Sequence, residues 1–206
     1  MSEDPEKKRQ IREIMHGVKN HLQILNSLFD LQLMDIKNEA ASLAVEESVG
    51  RLRVMTILYK NLSAVDLYAT VDFERVLIEI YQQVLQIHIK IDNATKSAIS
   101  IPNLILEINT ALPLGLILNE LLMNSFSQSK RLDTAREISM QLVAGKDDMH
   151  CIEYIDTGID LPKGFDLNDS KLPFGMRMVN GLSRQLGGRT EVSKEPGCHF
   201  KIFFKK

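Results

Sequence analysis

The chain lacks several features that would assign its class at once. Of its 206 residues only two are cysteines, too few for a disulfide framework, so we expect a reducing compartment and a cytoplasmic location. No apolar run approaches the roughly 20 residues of a membrane-spanning helix. Residues 2–9 lack the apolar core of a signal peptide. A net charge of −2 gives no reason to expect nucleic acid or an anionic membrane as partner.

The composition that is present indicates a folded protein. A hydrophobic content of 44% supports a sizeable core, and 25% charged residues suit a soluble surface. The hydrophobic pattern changes near residue 67, from long helical repeats to short alternating segments. We therefore predict an α+β protein with a helical domain over residues 1–66 and a mixed domain over residues 67–206.

The first 62 residues have the periodicity of two paired helices. One apolar seam alternates spacings of four and three, which is typical of a helical bundle; its members are Ile11, Met15, Val18, Leu22, Leu25 and Phe29. The seam predicts a helix over about residues 5–36. A second stripe predicts a helix over about residues 39–62, with Val49, Leu52, Met55, Tyr59 and Leu62. The short connection predicts an antiparallel hairpin. Two apolar stripes favour pairing with a second copy into a dimeric four-helix bundle; packing on the same chain is the alternative.

A histidine lies beside this seam. His16 follows Met15 by one residue, so we expect it on the flank of the bundle, facing water. Histidine side chains in general change charge near neutral pH, and a neutral imidazole can act as a nucleophile. On register alone, an ordinary surface histidine is the simpler interpretation. A role in phosphoryl chemistry requires a donor elsewhere in the chain.

The remaining sequence predicts alternating helices and strands. Asp72 suits the N-cap of a helix over about residues 73–84, and Pro113 the first position of a helix over about 113–127. Strands are predicted at 98–101, 104–109, 138–143 and 150–155, with a turn at 145–148. A helix over about 175–186 precedes a closing hairpin of strands at 189–192 and 199–204, which turns at 196–197.

Three segments of the mixed domain carry candidate chemistry. Glu120 and Asn124 are four residues apart and share a helix face, and their oxygens suit a magnesium ion bridging phosphates; a merely polar helix face is the alternative. Asp156 ends an apolar strand and can accept a hydrogen bond from an exocyclic amino group, while Gly158 permits close approach of a ring, although such pairs also form turns. Gly175 opens a helix, whose free N–H groups and dipole favour phosphate.

These segments resemble a known family when taken in order. Residues 13–23, EIMHGVKNHLQ, resemble the phosphoacceptor helix of sensor histidine kinases related to the HWE group. Residues 113–124 resemble that group's N box. The segments at 156–158 and 174–176 resemble its first and second glycine boxes. The resemblance extends from about residue 11 to the end of the chain.

The resemblance implies a dimerisation and phosphotransfer hairpin, followed by an α/β sandwich of the gyrase and histidine-kinase ATPase type. Its cofactors would be ATP and Mg²⁺, and its partners a second copy and the receiver domain of a response regulator. The implied roles are phosphoacceptor for His16, magnesium ligand for Asn124 and adenine contact for Asp156. Glu120 would orient or activate the reacting groups, and Gly158 and Gly175 would let the nucleotide approach.

Several positions depart from the family pattern. Asp160 replaces the second glycine of the first glycine box, and Ser127 replaces a lysine that helps bind phosphate. Gly17 follows the phosphoacceptor where arginine is usual, and Pro173 and Phe174 precede Gly175. The chain has no tryptophan, so it is not a strict HWE kinase, and we expect no sensory domain before His16. The alternative function is an ATP-independent histidine phosphotransferase with a degenerate ATP-binding domain.

The remaining histidine–cysteine pairs, His150-Cys151 and Cys198-His199, could suggest zinc. Adjacent strand residues point to opposite faces, however, so each pair offers one ligand readily. We therefore predict no metal site there.

Overall fold

Two long helices open the chain and form the predicted antiparallel hairpin. The computed structural model describes residues 5–63, 69–88, 95–129, 136–144, 149–159, 161–194 and 197–205. Helix α1 spans Pro5–Asp35 and helix α2 spans Glu39–Asn61. Asn38 caps α2, because its Oδ1 accepts a hydrogen bond from the Ala41 N–H at 2.9 Å.

Polar contacts fix the register between the two helices. Asn26 Nδ2 donates to Thr56 Oγ1 at 2.8 Å, and Arg53 Nη2 donates to Asp30 Oδ1 at 2.7 Å. These two pairs place Arg51 of α2 level with about Gln32 of α1.

The mixed domain is a five-stranded sheet with helices packed on it. Its elements are β1 Thr70–Asp72, α3 Phe73–His88, β2 Thr95–Ser100, β3 Ile105–Glu107, α4 Ile108–Ser129, β4 Arg136–Ala144, β5 His150–Asp156, α5 Phe174–Gln185, β6 Arg189–Ser193 and β7 Cys198–Phe204. The large sheet has the order β2-β4-β5-β7-β6, and only its β2–β4 pair is parallel. Strands β1 and β3 form a separate antiparallel pair. The predicted α+β class is confirmed.

One face of the sheet forms the core with the helices. Residues at alternate positions of β5 and β7 are fully buried, as a sheet covered on one side requires; they are Ile152, Tyr154, Phe200, Ile202 and Phe204. The hydroxyls of Tyr154 and Ser125 on α4 lie 2.6 Å apart and satisfy each other.

The predicted start of α4 at Pro113 was wrong. The helix begins five residues earlier, at Ile108, and β3 ends at Glu107 instead of residue 109. The additional turn is stabilised by burial of Ala111 and by the Ile108 N–H, which donates to the Ala69 carbonyl at 2.9 Å. Pro113 therefore lies inside the helix, beyond its first turn, and provides no N–H for the carbonyl of Asn109.

Helix α2 packs on α1 on one side and on α4 on the other. Its fully buried side chains are Val49, Val54 and Leu58, and a Cβ on Gly115 of α4 would lie 3.4 Å from Val54 and 3.5 Å from Leu58. The expected residues Leu52, Met55, Tyr59 and Leu62 are only half-buried. One face of α2 therefore packs on the same chain, which was the alternative to dimerisation. Helix α1 keeps a row of exposed apolar side chains, namely Ile14, Ile24, Leu25, Leu28, Leu31 and Met34.

Some predictions concern positions outside the described residues. These are the turn at 145–148, the tip of the closing hairpin at residue 196, and Asp160. The junction between the helical and mixed domains also falls partly on such positions, over residues 64–68.

Candidate functional site

A cleft of about 370 Å³ lies between the helical hairpin and the mixed domain. Three of the predicted site residues line it: Glu120 and Asn124 from α4, and Gly175 from the start of α5. Glu120 and Asn124 share one face of α4, as their spacing predicts. The hairpin side of the cleft includes Leu43, Glu46 and Glu47.

The Glu120 carboxylate is bound by an arginine from the hairpin. Arg51 Nε donates to Glu120 Oε1 and Arg51 Nη2 donates to Oε2, both at 2.9 Å, in the bidentate geometry that planar guanidinium favours. Arg51 Nη2 also donates to Glu47 at 3.2 Å. Burial lowers the pKa of Arg51, but the hydrogen bonds and charges of Glu120 and Glu47 raise it, and the net change is upward. The Arg51 guanidinium therefore stays charged at neutral pH.

The start of α5 packs against this ion pair. A Cβ on Gly175 would collide with Glu120 Oε2, so a larger residue there would have to displace the carboxylate from its hydrogen bonds with Arg51. The Phe174 ring stacks on Arg51, with its centroid 5.0 Å from the guanidinium carbon. Pro173 provides no side-chain cap for α5. The first N–H groups and the positive end of the helix dipole thus face the cleft and suit an anion such as phosphate.

Asp156 is buried at the end of β5. Its Oδ1 accepts a hydrogen bond from the Gly158 N–H at 2.8 Å, which fixes the carboxylate. Its Oδ2 is buried and has no hydrogen-bond partner among the described residues. Because a buried polar atom is costly unless it is paired, this oxygen fits an amino donor such as that of adenine. Asp156 and Gly158 are not among the residues that line the cleft.

Cys198 of β7 pairs with Asp156 across the sheet. Burial, reinforced by the Asp156 carboxylate, raises the pKa of the Cys198 thiol to about 12. Cys151 pairs with Phe203, five positions along β7 from Cys198, so about 17 Å separate the two cysteines at 3.4 Å per residue. Among the described residues, no group of three or more histidines, cysteines and carboxylates has a metal-binding arrangement.

His16 is exposed on α1, as its register predicts. Its Nδ1 lies 3.2 Å from Asn20 Nδ2, one turn along the same helix. Since Arg51 is level with about Gln32, His16 lies about 16 residues further along the hairpin, or about 24 Å at 1.5 Å per residue. The structure therefore does not bring His16 to the cleft.

Sequence reasoning missed Arg51, Glu47 and Phe174. Arg51 is 69 residues away from Glu120 in the chain, and nothing in its local sequence distinguishes it from another arginine on a polar helix face. Phe174 was noted only as a departure from the family pattern. Ser127, where the family has a lysine, is exposed and lines the cleft.

Comparison with known sequences gives a match to a family model and two similar proteins. Residues 13–88 match the HisKA_2 family, described as histidine kinase. The sensor histidine kinase PdtaS of Mycolicibacterium smegmatis is 29% identical over 177 residues, which cover 84% of this chain and 34% of that protein. PdtaS of Mycobacterium tuberculosis is 28% identical over 185 residues, covering 86% and 35%. The chain thus spans about a third of the length of these relatives.

Solved structures share the fold. The histidine kinase domain of the blue-light activated histidine kinase of Erythrobacter litoralis superposes with a TM-score of 0.68 at 21% identity, covering 98% of this chain and 95% of that chain. The histidine kinase AdeS of Acinetobacter baumannii has a TM-score of 0.52 at 14% identity, covering 89% and 94%. No helix within the described part of the chain has the length and apolarity needed to cross a membrane. Residues 13–88 of this chain are thus similar to a histidine kinase family, and its helical hairpin followed by a mixed α/β domain is the fold of solved histidine kinase structures.

Proposed function

We propose that the chain is the kinase part of a two-component phosphorelay, which phosphorylates itself on His16 from ATP and passes the phosphoryl group to a receiver aspartate. One observation carries the proposal. Glu120, Asn124 and Gly175 line a single cleft at the N-terminus of α5, and the strand that leads towards α5 ends in a buried carboxylate with an unpaired oxygen, Asp156 Oδ2.

The residues present fit a nucleotide with its magnesium ion. Asp156 Oδ2 would accept the hydrogen bond of the adenine amino group, while the first N–H groups of α5 would bind phosphate oxygens. Asn124 would provide one oxygen ligand to Mg²⁺, which usually keeps several waters and phosphate oxygens besides. When bound, MgATP supplies the γ-phosphoryl group, with part of its charge neutralised by the metal.

His16 would act as the nucleophile through a neutral ring nitrogen. Asn20 influences which nitrogen is free. When Asn20 Nδ2 donates to His16 Nδ1, the proton is on Nε2; when the amide turns and its oxygen accepts, the proton is on Nδ1 and Nε2 is free to attack. Glu120 would orient the reacting groups or accept the imidazole proton as the N–P bond forms and the bond to ADP breaks.

A second copy of the chain is the proposed partner for α1. The apolar side chains that α1 exposes are spaced along one helix as Ile24, Leu28 and Leu31, the spacing of a bundle seam. Covering them with the same row of a partner would give a four-helix bundle. His16 on the flank of that bundle would stay accessible to a receiver domain.

The charges of the cleft favour one alternative, an ATP-independent histidine phosphotransferase. Three carboxylates, Glu46, Glu47 and Glu120, line the cleft, and Ser127 provides no cation where the family has a lysine. Unpaired negative charges near a triphosphate oppose its binding. The balance depends on how far Mg²⁺ and Arg51 neutralise them.

Incubation with γ-labelled ATP and magnesium separates the two functions. We expect acid-labile label on the wild type and on His21→Ala, a matched control because His21 is exposed on the same helix, and none on His16→Ala. If the wild type takes no label from ATP but gains it from a phosphorylated receiver domain, in a reaction that requires His16, the phosphotransferase is the function. Label on His16→Ala equal to that on the wild type would contradict both.

A further inference from the structure

The first turn of α5 contains an arginine at a position where the helix dipole disfavours a cation. Arg177 is the fourth residue of α5, and this turn has no acidic residue. The positive end of the dipole repels a cation near the N-terminus of a helix and attracts an anion. An anion bound at this end of α5 would therefore offset the repulsion that Arg177 experiences.

The guanidinium of Arg177 is available to bind such an anion. Its side chain is exposed, and it makes no ion pair and no hydrogen bond with the residues that the structure describes. Its contact is with the Phe174 ring, whose centroid lies 5.8 Å from the guanidinium carbon. Helical side chains lean towards the N-terminus of their helix, so the side chain of Arg177 reaches back over Phe174. The stacked ring thus holds a free guanidinium near the start of α5.

Free backbone donors lie beside this guanidinium. The N–H of Arg177 donates to the Pro173 carbonyl at 3.1 Å, whereas the N–H groups of Phe174, Gly175 and Met176 have no acceptor within the helix. At 1.5 Å per residue, Arg177 begins about 4.5 Å along the axis from Phe174, a distance that its own side chain can span. The N–H groups and the guanidinium can therefore bind one extended anion together.

The other charges of the cleft leave a polyphosphate in need of a cation. Glu46 and Glu47 line the cleft, and Ser127 adds no charge. Arg53 also lines it, but its guanidinium donates to Asp30 at 2.7 Å. Negative charge near a phosphate opposes its binding, and an unpaired guanidinium beside the phosphate has the opposite effect.

We propose that Arg177 is the phosphate-binding cation of the nucleotide site and that it selects ATP over AMP. Its planar guanidinium would donate two parallel hydrogen bonds to oxygens of the terminal phosphates, while Phe174 keeps the guanidinium in place. The identity of the anion rests on the proposed kinase function. The site itself can be tested with a polyphosphate that has no adenine.

Arg177→Gln tests this role, with Arg189→Gln as the matched control. Arg189 of β6 is also an exposed arginine stacked on an aromatic ring, with its guanidinium carbon 4.3 Å from the Phe203 centroid. It follows the opposite, C-terminal end of α5. Both substitutions remove one positive charge and one stacking contact, but only Arg177→Gln removes them from the start of α5.

Calorimetry of the full chain with Mg²⁺ measures the binding of ATP, AMP and tripolyphosphate. We expect Arg177→Gln to weaken ATP and tripolyphosphate at least about tenfold, because a charge-assisted bidentate contact is lost. AMP has no terminal phosphates and should weaken by less than about threefold. Arg189→Gln should bind all three as the wild type does. Arg177→Lys should be intermediate, since it keeps the charge but loses the bidentate geometry.

Thermal unfolding without nucleotide establishes that the variants are folded. Arg177→Gln should unfold close to the wild type, because the loss of stacking on Phe174 and the relief of repulsion by the helix dipole oppose each other. The affinity of the wild type for ATP should also fall more steeply with added salt than that of Arg177→Gln, since one charged contact is missing from the variant.

Two results would overturn the role of Arg177. One is a folded Arg177→Gln that binds ATP within about twofold of the wild type. The other is an equal weakening of ATP and AMP, because the substitution would then act through the fold or the adenine contact and not through the terminal phosphates.

The same measurements separate this inference from the proposed kinase function. If the wild type labels His16 from ATP but Arg177→Gln keeps the wild-type affinity, the kinase function stands and the role of Arg177 fails. If the wild type binds tripolyphosphate through Arg177 but neither binds ATP nor gains label, the kinase function fails and the anion site remains. A wild type that binds neither ATP nor tripolyphosphate would contradict both.

Discussion

Gly175 provides a direct test of the packing between α5 and the Glu120 carboxylate. In Gly175→Ala the new Cβ would overlap Glu120 Oε2, which two hydrogen bonds of 2.9 Å from Arg51 hold in place. Overpacking at a site that cannot relax costs about 1–3 kcal/mol, and the greater helix propensity of alanine offsets up to about 1 kcal/mol. We expect the free energy of unfolding to fall, by up to about 2 kcal/mol.

Gly181→Ala is the matched control in the same helix. Gly181 is exposed, and a Cβ there would meet no heavy atom within 4 Å, so alanine should stabilise the protein by about 0.5–1 kcal/mol through helix propensity alone. Urea denaturation followed by circular dichroism measures both variants. In a double-mutant cycle the cost of Gly175→Ala should disappear when Glu120 is replaced by alanine. The reasoning is refuted if Gly175→Ala stabilises the chain as much as Gly181→Ala does.

Three further predictions follow from the site and the hairpin. Asp156→Asn should weaken ATP binding, measured by calorimetry, by about 10–100-fold, because an amide N–H₂ would face the adenine amino group in place of the unpaired Oδ2. An unchanged affinity would show that Asp156 does not contact adenine. The pKa of Cys198 is raised to about 12 in the folded chain, so the folded thiol stays protonated at pH values where the unfolded thiol ionises. The contribution of this thiol to the free energy of unfolding should therefore fall by about 1 kcal/mol per pH unit above pH 9. A Cys198→Ala variant whose stability has the same pH dependence as the wild type would contradict this. Leu28→Lys should produce monomers in light scattering that keep their helical circular dichroism, since Leu28 is 56% exposed within one chain and is not needed for its fold. Gln32→Lys, on a polar position of α1, should leave a dimer intact, and two variants of equal mass would exclude that face of α1 as the interface.

The sequence predicted the elements whose patterns are local. The heptad seam of α1 and the alternation in β4, β5 and β7 each repeat with the period of their own element, so their periods identify them. The exposed position of His16 and the shared face of Glu120 and Asn124 follow from helical register alone. These predictions needed no information about which elements meet.

Features that depend on distant contacts could not be predicted. Strand β1 has three residues and exists through its pairing with β3. The early start of α4 depends on burial of Ala111 and on the hydrogen bond that the Ala69 carbonyl accepts. The sequence instead suggested a start at Pro113, because proline is common at the first position of a helix. The second buried face of α2 requires α3 and α4 to cover it, and the Arg51–Glu120 pair joins residues from two different units.

The placement of α2 also determines how the chain can be divided. Val54 and Leu58 have no exposed surface and contact α4 at Gly115, so α2 contributes part of the hydrophobic core of the mixed domain. A fragment that begins at residue 67 would uncover this part of the core and expose it to water, at about 25 cal/mol for each Å² of apolar surface. The hairpin and the mixed domain are therefore thermodynamically linked, and a stable fragment that contains the mixed domain has to begin before Glu39.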